Sequence, residues 1–269
     1  MPNLKDVVMF TLEISLSASA LASIKAHVGK NLPDVKSSHR CEAIGRGLGF
    51  HTYASALTLA GGNTPPIVRV NAAAFASYLA AHGFAVSGLT LYRAAAGAAL
   101  AAIAEAHPIL TLWGIGSGQP RRTSTGRWET VEETVAKFRQ ARADLVADGA
   151  INPFLASLAF LGNVPMTKTI RRGTGSYFLK HIAENYPCTY PDGEELGPQY
   201  VPNGALIAAA IQAGFRYKTY IDERGYHDVN VSFNMSKPAI VDLDCEFRPN
   251  GARAQQRRNK LEARSYGLA

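Results

Sequence analysis

Cysteine is scarce and scattered. The three thiols, Cys41, Cys188 and Cys245, lie far apart, with no CxxC pair and no Cys/His cluster. That argues against a zinc site and a disulfide framework, and fits a reducing compartment. Acidic residues are also short, 21 Asp and Glu against 28 Lys and Arg. No apolar run is both long and free of charge. VVMFTLEISLSASALA near the start resembles a signal peptide, but Glu13 interrupts it and Asp6 sits beside Lys5, so a strand followed by a helix is expected. The alanine-rich run from Ala94 to Ala106 meets Glu105, His107 and Pro108 too early to cross a bilayer. The expectation from these absences is a soluble, cytoplasmic protein with no membrane contact, no metal and no cofactor.

What is present is a globular composition, 47% hydrophobic and 18% charged over 269 residues, enough for a full core in one or two domains. The net charge of +7 is unevenly placed: from Arg248 onward, six cations against Glu262 alone put +5 into the last 22 residues. A basic extension of this kind suits a polyanion, phosphate backbones first. Its plainer reading is a solvated tail.

Two breaker-rich stretches, GGNTPP (Gly61–Pro66) and GIGSGQPRRTSTGR (Gly114–Arg127), divide the chain. The expected organisation is an N-terminal helical module (1–62), a helical middle (67–150), a helix–helix–hairpin module (151–247) and a basic tail (248–269). In the middle region Phe75, Tyr78, Leu79 and His82 follow helical spacing up to Gly83. Thr130-Val-Glu-Glu133 is a capping box before the stripe Val131, Val135, Phe138 and Leu145, predicting a helix from about Val131 to Ala147. Gly-Phe follows an alanine-rich helix three times, at Gly49, Gly83 and Gly214. Glycine in the left-handed conformation ends a helix, and the next apolar residue packs back on the last turn.

In KSSHRCEAIGRGLGFHTYASAL, Ser38 can cap one helix and Thr52 a second. The spacing resembles a helix-turn-helix. However, TYASALTLA offers only hydroxyls where base reading needs Arg, Asn, Gln or Lys, so a structural helical hairpin is the better reading.

The later module opens with Lys168, Arg171 and Arg172 before Gly173-Thr-Gly175 and a helix starting near Ser176. Free amides, the helix dipole and these cations together outline an anion site. On that helix Leu179, Ile182, Ala183 and Tyr186 take one face, and Lys180, His181, Glu184 and Asn185 the other. Asn203 looks like the N-cap of a second, almost wholly apolar helix. Two alternating strands across DERGYHD then form a hairpin whose Arg216, Lys218, Arg224 and Lys237, with Tyr220 and Tyr226 among them, could contact a nucleic-acid backbone. This is the order of elements in a winged helix. The fold class expected is therefore α+β, mainly α, with a winged-helix-like C-terminal module.

Enzyme signals are weak. Gly114-Ile-Gly116-Ser-Gly118 lacks the Gly-Lys-Ser/Thr of a phosphate-binding loop, and His181-x-x-Glu184 lacks the second histidine of a zinc helix. Tyr177, Lys180 and His181 could do acid–base chemistry, but no third group is evident to orient them.

The blocks SSHRCEAIGRGLGFHTYASAL and TKTIRRGTGSYFLKHIAENYPCTYPDGEELGPQYVPNGALIAAAIQAGF resemble a bacterial protein family associated with plasmids and other mobile elements, one without an established activity. The resemblance covers most of the chain and implies context only: plasmid maintenance, transfer, or interference with host or rival elements. The leading expectation is a non-enzymatic, nucleic-acid-binding accessory or regulatory protein, DNA being the expected partner. Its contacts would be Lys168, Arg171, Arg172, Lys180, His181, Arg216, Lys218, Arg257 and Arg258. The alternatives are a protein-binding inhibitor or adaptor acting on a transfer or defence machine, and a phosphate-ester or nucleotide-processing enzyme.

Overall fold

Short strands and longer helices alternate in the computed structural model, which describes residues 11–117, 120–171 and 173–265. The chain starts with β1 (Glu13–Ser15), α1 (Ala18–Asn31), α2 (Ser37–Gly47) and α3 (Tyr53–Ala60). It continues through β2 (Ile67–Arg69), α4 (Ala72–Ala81), α5 (Leu89–Ala106), β3 (Leu110–Thr111) and β4 (Gly114–Ile115). Next come α6 (Val131–Leu145), α7 (Asp148–Leu161), α8 (Ser176–Ala183), β5 (Cys188–Thr189) and β6 (Glu195–Gly197). The last elements are α9 (Asn203–Gln212), β7 (Tyr217–Lys218), β8 (Ser232–Phe233), α10 (Lys237–Phe247) and α11 (Ala252–Ser265). The strands form four antiparallel pairs, β1–β2, β3–β4, β5–β6 and β7–β8. The protein is thus mixed α+β and mainly helical.

One continuous cluster of buried side chains runs from Leu12 to Ile240. Its centre is α5, which packs against α1, α7 and α9. Among the described residues, α5 is the one helix that is by itself long and apolar enough to cross a membrane, and more than half of it is buried inside the protein. The strand-then-helix reading of the N-terminal stretch holds: Ser17 caps α1 by accepting from the Ala20 amide at 3.1 Å.

The three Gly-Phe stops share one geometry. Gly49, Gly83 and Gly214 have φ of 86°, 85° and 83°. The amides of Phe50, Phe84 and Phe215 donate to the carbonyls five residues back, Gly45, Leu79 and Ala210. This is the six-to-one bond of a Schellman stop. Thr52 caps α3 as expected, whereas α2 begins at Ser37 with no side-chain cap.

Several local expectations are corrected. The capping box of α6 is present, Thr130 with Glu133, but its stripe reaches the core only at Leu145: Val131 is 75% exposed, Val135 is exposed and Phe138 is half-buried. The cause is Arg142, whose guanidinium donates to the carbonyls of Ala104, His107, Pro108 and Leu110 and pins the C-terminal half of α6 to the end of α5. Asn203 is the first residue of α9, not its cap, and its side chain reaches other segments. Helix, helix and hairpin follow in the expected order, but β5–β6 intervenes between α8 and α9, and β7 and β8 are two residues each. Within the C-terminal extension, α11 (Ala252–Ser265) is a helix. Arg253 lies 3.9 Å over the Phe178 ring of α8, and Ala254 is buried.

Candidate functional site: an aromatic cleft beside a basic surface

Backbone close approach creates the site. A Cβ on Gly204 would lie 1.8 Å from the Thr111 carbonyl, and one on Gly114 would lie 2.0 Å from that of Val229. The β3–β4 turn therefore sits directly on the start of α9, with the Gly204 amide donating to Leu112 O at 2.8 Å. The GIGSG run serves this packing. β4 leads into a loop rather than a helix, and Gly118 lies outside the described residues.

Two loops flank this junction. In the first, Glu129 N donates to Arg121 O and Thr123 N to Arg127 O, folding residues 121–129 back on themselves. In the second, Ile221 bridges His227 and Asp222 N donates to Tyr226 O. Between these loops, α6, α8 and the start of α9 lies a cleft of about 660 Å3. It continues past Gly116 and Phe138 to Tyr226 and His227.

The cleft presents unusually exposed aromatic surface. Trp113, Tyr177 and Tyr200 all line it and are 54%, 57% and 60% exposed. Lys180 lies beneath the two tyrosines, its Nζ 5.5 Å from the Tyr177 ring centre and 4.9 Å from that of Tyr200. A cation held against these rings fixes them by the attraction of charge for the aromatic quadrupole.

Helical spacing puts Lys180 on the polar, solvated face of α8. It is instead buried, with Nζ 2.7 Å from Glu184 Oε1. His181 Nδ1 is 2.7 Å from the other oxygen, Oε2. Glu184 is thus the third group that orients Lys180 and His181. Burial alone would raise its carboxyl, but hydrogen bonds from Lys180 and His181 outweigh that and hold it below the usual carboxylate value.

Two buried side-chain atoms among the described residues lack a hydrogen-bond partner, Asn203 Oδ1 and His227 Nδ1. Asn203 lines the cleft and His227 its continuation. Asn203 Nδ2 is surrounded by three acceptors, Val229 O at 3.0 Å, Asn230 Oδ1 at 3.3 Å and Trp113 O at 3.4 Å, which fixes the amide orientation. Orphaned polar atoms of this kind are uncommon in folded proteins.

The expected anion site at the start of α8 is closed. Ser176 N donates to Val231 O at 2.8 Å, and Thr174 and Ser176 are fully buried. The cations around it gather on adjoining backbone nonetheless. Arg216 donates to the Lys168 carbonyl. Asn234 N donates to Arg216 O, and Thr167 N to Asn234 O. Lys237 lies 3.5 Å from where a Gly173 Cβ would be, and Lys218 stands opposite Ser232, which bridges Gly175. Lys168, Arg171, Arg216, Lys218 and Lys237 are all exposed, and none forms an ion pair among the described residues. Arg172 lies outside the described residues. In the C-terminal helix Arg257 is paired with Asp242 at 2.8 Å and Arg258 donates to Pro249 O. Arg248 and Arg253 both reach Asp244.

Sequence reasoning missed Trp113 and Tyr200. Trp113 directly precedes Gly114 and Tyr200 lies two residues before Pro202, a faint sign of an aromatic presented from a turn. Among the described residues no group of three His, Cys, Asp or Glu could hold a metal ion. Comparison of the chain with family models, with curated proteins and with solved structures gave no match.

Proposed function

We propose that the protein binds nucleic acid as a non-enzymatic accessory or regulatory factor, with single-stranded DNA the leading partner. The observation that carries this reading is the convergence of Lys168, Arg171, Arg216, Lys218 and Lys237 on adjoining segments without acidic partners, next to a cleft lined by exposed aromatics. Cations that track a phosphate backbone beside rings that accept base stacking are the two components of single-strand recognition. The winged-helix-like version assigns the β7–β8 hairpin the part of the wing. The mobile-element setting rests on the resemblance of the two sequence blocks. Lys180 serves here through Tyr177 and Tyr200, since its charge is already matched by Glu184. Arg257 and Arg258, tied to Asp242 and Pro249, contribute less than Arg171. A low-salt mobility-shift assay with single-stranded and duplex oligonucleotides tests the reading. A shifted single strand supports it, and no shift with either removes it.

A second reading, a protein-binding inhibitor or adaptor, draws on α6, whose Val131 and Val135 face solvent beside the exposed Trp128. A defined protein partner captured by the intact chain and lost in Val131→Lys, alongside no oligonucleotide shift, would favour it.

A further inference from the structure

We infer that the cleft is a pocket for an unpaired nucleobase, stacked on Tyr177, Tyr200 and Trp113 while the phosphates lie over the neighbouring cations. This rests on the nucleic-acid reading and adds to it a base-binding site.

Three independent features point to such a ligand. The first is aromatic surface that the fold leaves uncovered on three side chains of one cleft. Lys180 Nζ lies 5.5 Å from the Tyr177 ring centre and 4.9 Å from that of Tyr200, and His181 meets the Tyr177 ring edge-on at 4.7 Å, so both rings have partners on one side and stay exposed on another. The second is the pair of partnerless polar atoms, Asn203 Oδ1 and His227 Nδ1, on residues of the cleft and its continuation. Both atoms are closed to solvent, so the donor- and acceptor-bearing edge of a nucleobase pairs with them only after a small side-chain shift, which a purely apolar ligand would have no reason to drive. The third is size and charge. About 660 Å3 falls within the ~300–1,000 Å3 common for small-ligand clefts. The lining itself is close to balanced, Arg121 with Asp144 and Lys137 paired with Glu129, so the cations for phosphates are those of the adjoining segments, which approach the cleft at Gly175, two residues from Tyr177.

A base can arrive on a free nucleoside or as part of a strand, and the exposed cations of the adjoining segments favour the strand. The test uses the full chain carrying Trp128→Phe, which leaves Trp113 as the sole tryptophan and thus a reporter inside the cleft. Three probes are titrated: a short single-stranded oligonucleotide, an abasic sugar-phosphate strand of equal length, and free nucleosides. The base-bearing strand is expected to quench Trp113 emission and to bind roughly tenfold more tightly than the abasic strand, the value of one stacked base. Tyr200→Ala should remove that tenfold and leave abasic affinity unchanged. The strand comparison needs no variant, so it stands even if Tyr200→Ala fails to fold. Equal affinity for both strands with no quenching would overturn the base pocket while leaving nucleic-acid binding intact. Nucleosides that quench while no strand binds would uphold the pocket and overturn the strand reading. Silence from all three probes would overturn both.

Discussion

Buried Lys180 and half-buried Glu184, the C-cap of α8, form an ion pair 2.7 Å long one helical turn apart beneath the aromatic cleft. The same carboxylate takes His181 on its second oxygen, and Lys180 also reaches Val201 O at 3.4 Å. Lys180, which helical spacing assigns to the solvated face of α8, is therefore part of the floor of the site.

Removing one partner should leave the other charge buried and unmatched. Glu184→Ala, which strands the buried Lys180, is expected to lower stability by about 3–5 kcal/mol, read from urea unfolding, and Lys180→Ala by less, because Glu184 is only half-buried. The double variant Lys180→Met/Glu184→Gln should recover most of that loss. A single variant within about 0.5 kcal/mol of the parent, the usual range for surface changes, would contradict the buried pair.

The same network sets a pH dependence. Glu184 sits below its unfolded value because the hydrogen bonds from Lys180 and His181 overcome the effect of burial. Its contribution is fully present above the unfolded carboxylate pKa and is lost as pH falls through the lower folded value. Stability measured downward from neutrality should therefore fall in the acid range, and Glu184→Gln should flatten that limb. An acid limb that is the same in both proteins would count against this assignment.

Cys188 is buried, and burial pushes its thiol up to about 11. Cys41 and Cys245 are only partly buried. Since the thiolate is the reactive form, an electrophile at neutral pH should label two thiols in the folded protein and three in denaturant. Labelling of Cys188 before unfolding would show that β5 is not packed as described.

Gly204→Ala and Gly49→Ala separate two uses of glycine. At Gly204 the new methyl meets two successive backbone carbonyls of the β3–β4 turn, Thr111 O at 1.8 Å and Leu112 O at 2.7 Å, and overpacking should remove at least about 1–3 kcal/mol. At Gly49 space is open but φ is +86°, so only the left-handed strain of about 1–2 kcal/mol applies. Thermal unfolding should rank Gly204→Ala below Gly49→Ala, and the reverse order would contradict the tight β3–β4/α9 junction.

Local signals were the legible part of this fold. The Gly-Phe stops, the Thr52 and Thr130 caps, the apolar α9 and the hairpin across Asp222–Asp228 all depend on residues within one or two turns of each other, and each is found. Failures came where a distant segment intervenes. The stripe of α6 predicts core, but Arg142 anchors only its far half. Asn203 predicts a cap, but Val229 and Asn230 claim its amide. The cations around Gly173 were legible as a group, while Ser176 and Val231 close the helix start that those cations mark in sequence. The cleft itself is built from the β3–β4 turn, α6, α8, α9 and the 219–231 loop, and no local pattern reports that meeting.

Salt dependence separates phosphate contacts from every other source of single-strand affinity. Affinity of the intact chain for a single-stranded oligonucleotide, followed from about 50 to about 200 mM salt, should fall linearly on a log–log plot as counterions are released. Replacing Lys168, Arg171, Arg216 and Lys218 with Ala should flatten the slope by about 0.7 for each phosphate that is no longer neutralised. A slope unchanged by all four substitutions would place the polyanion elsewhere and contradict the account.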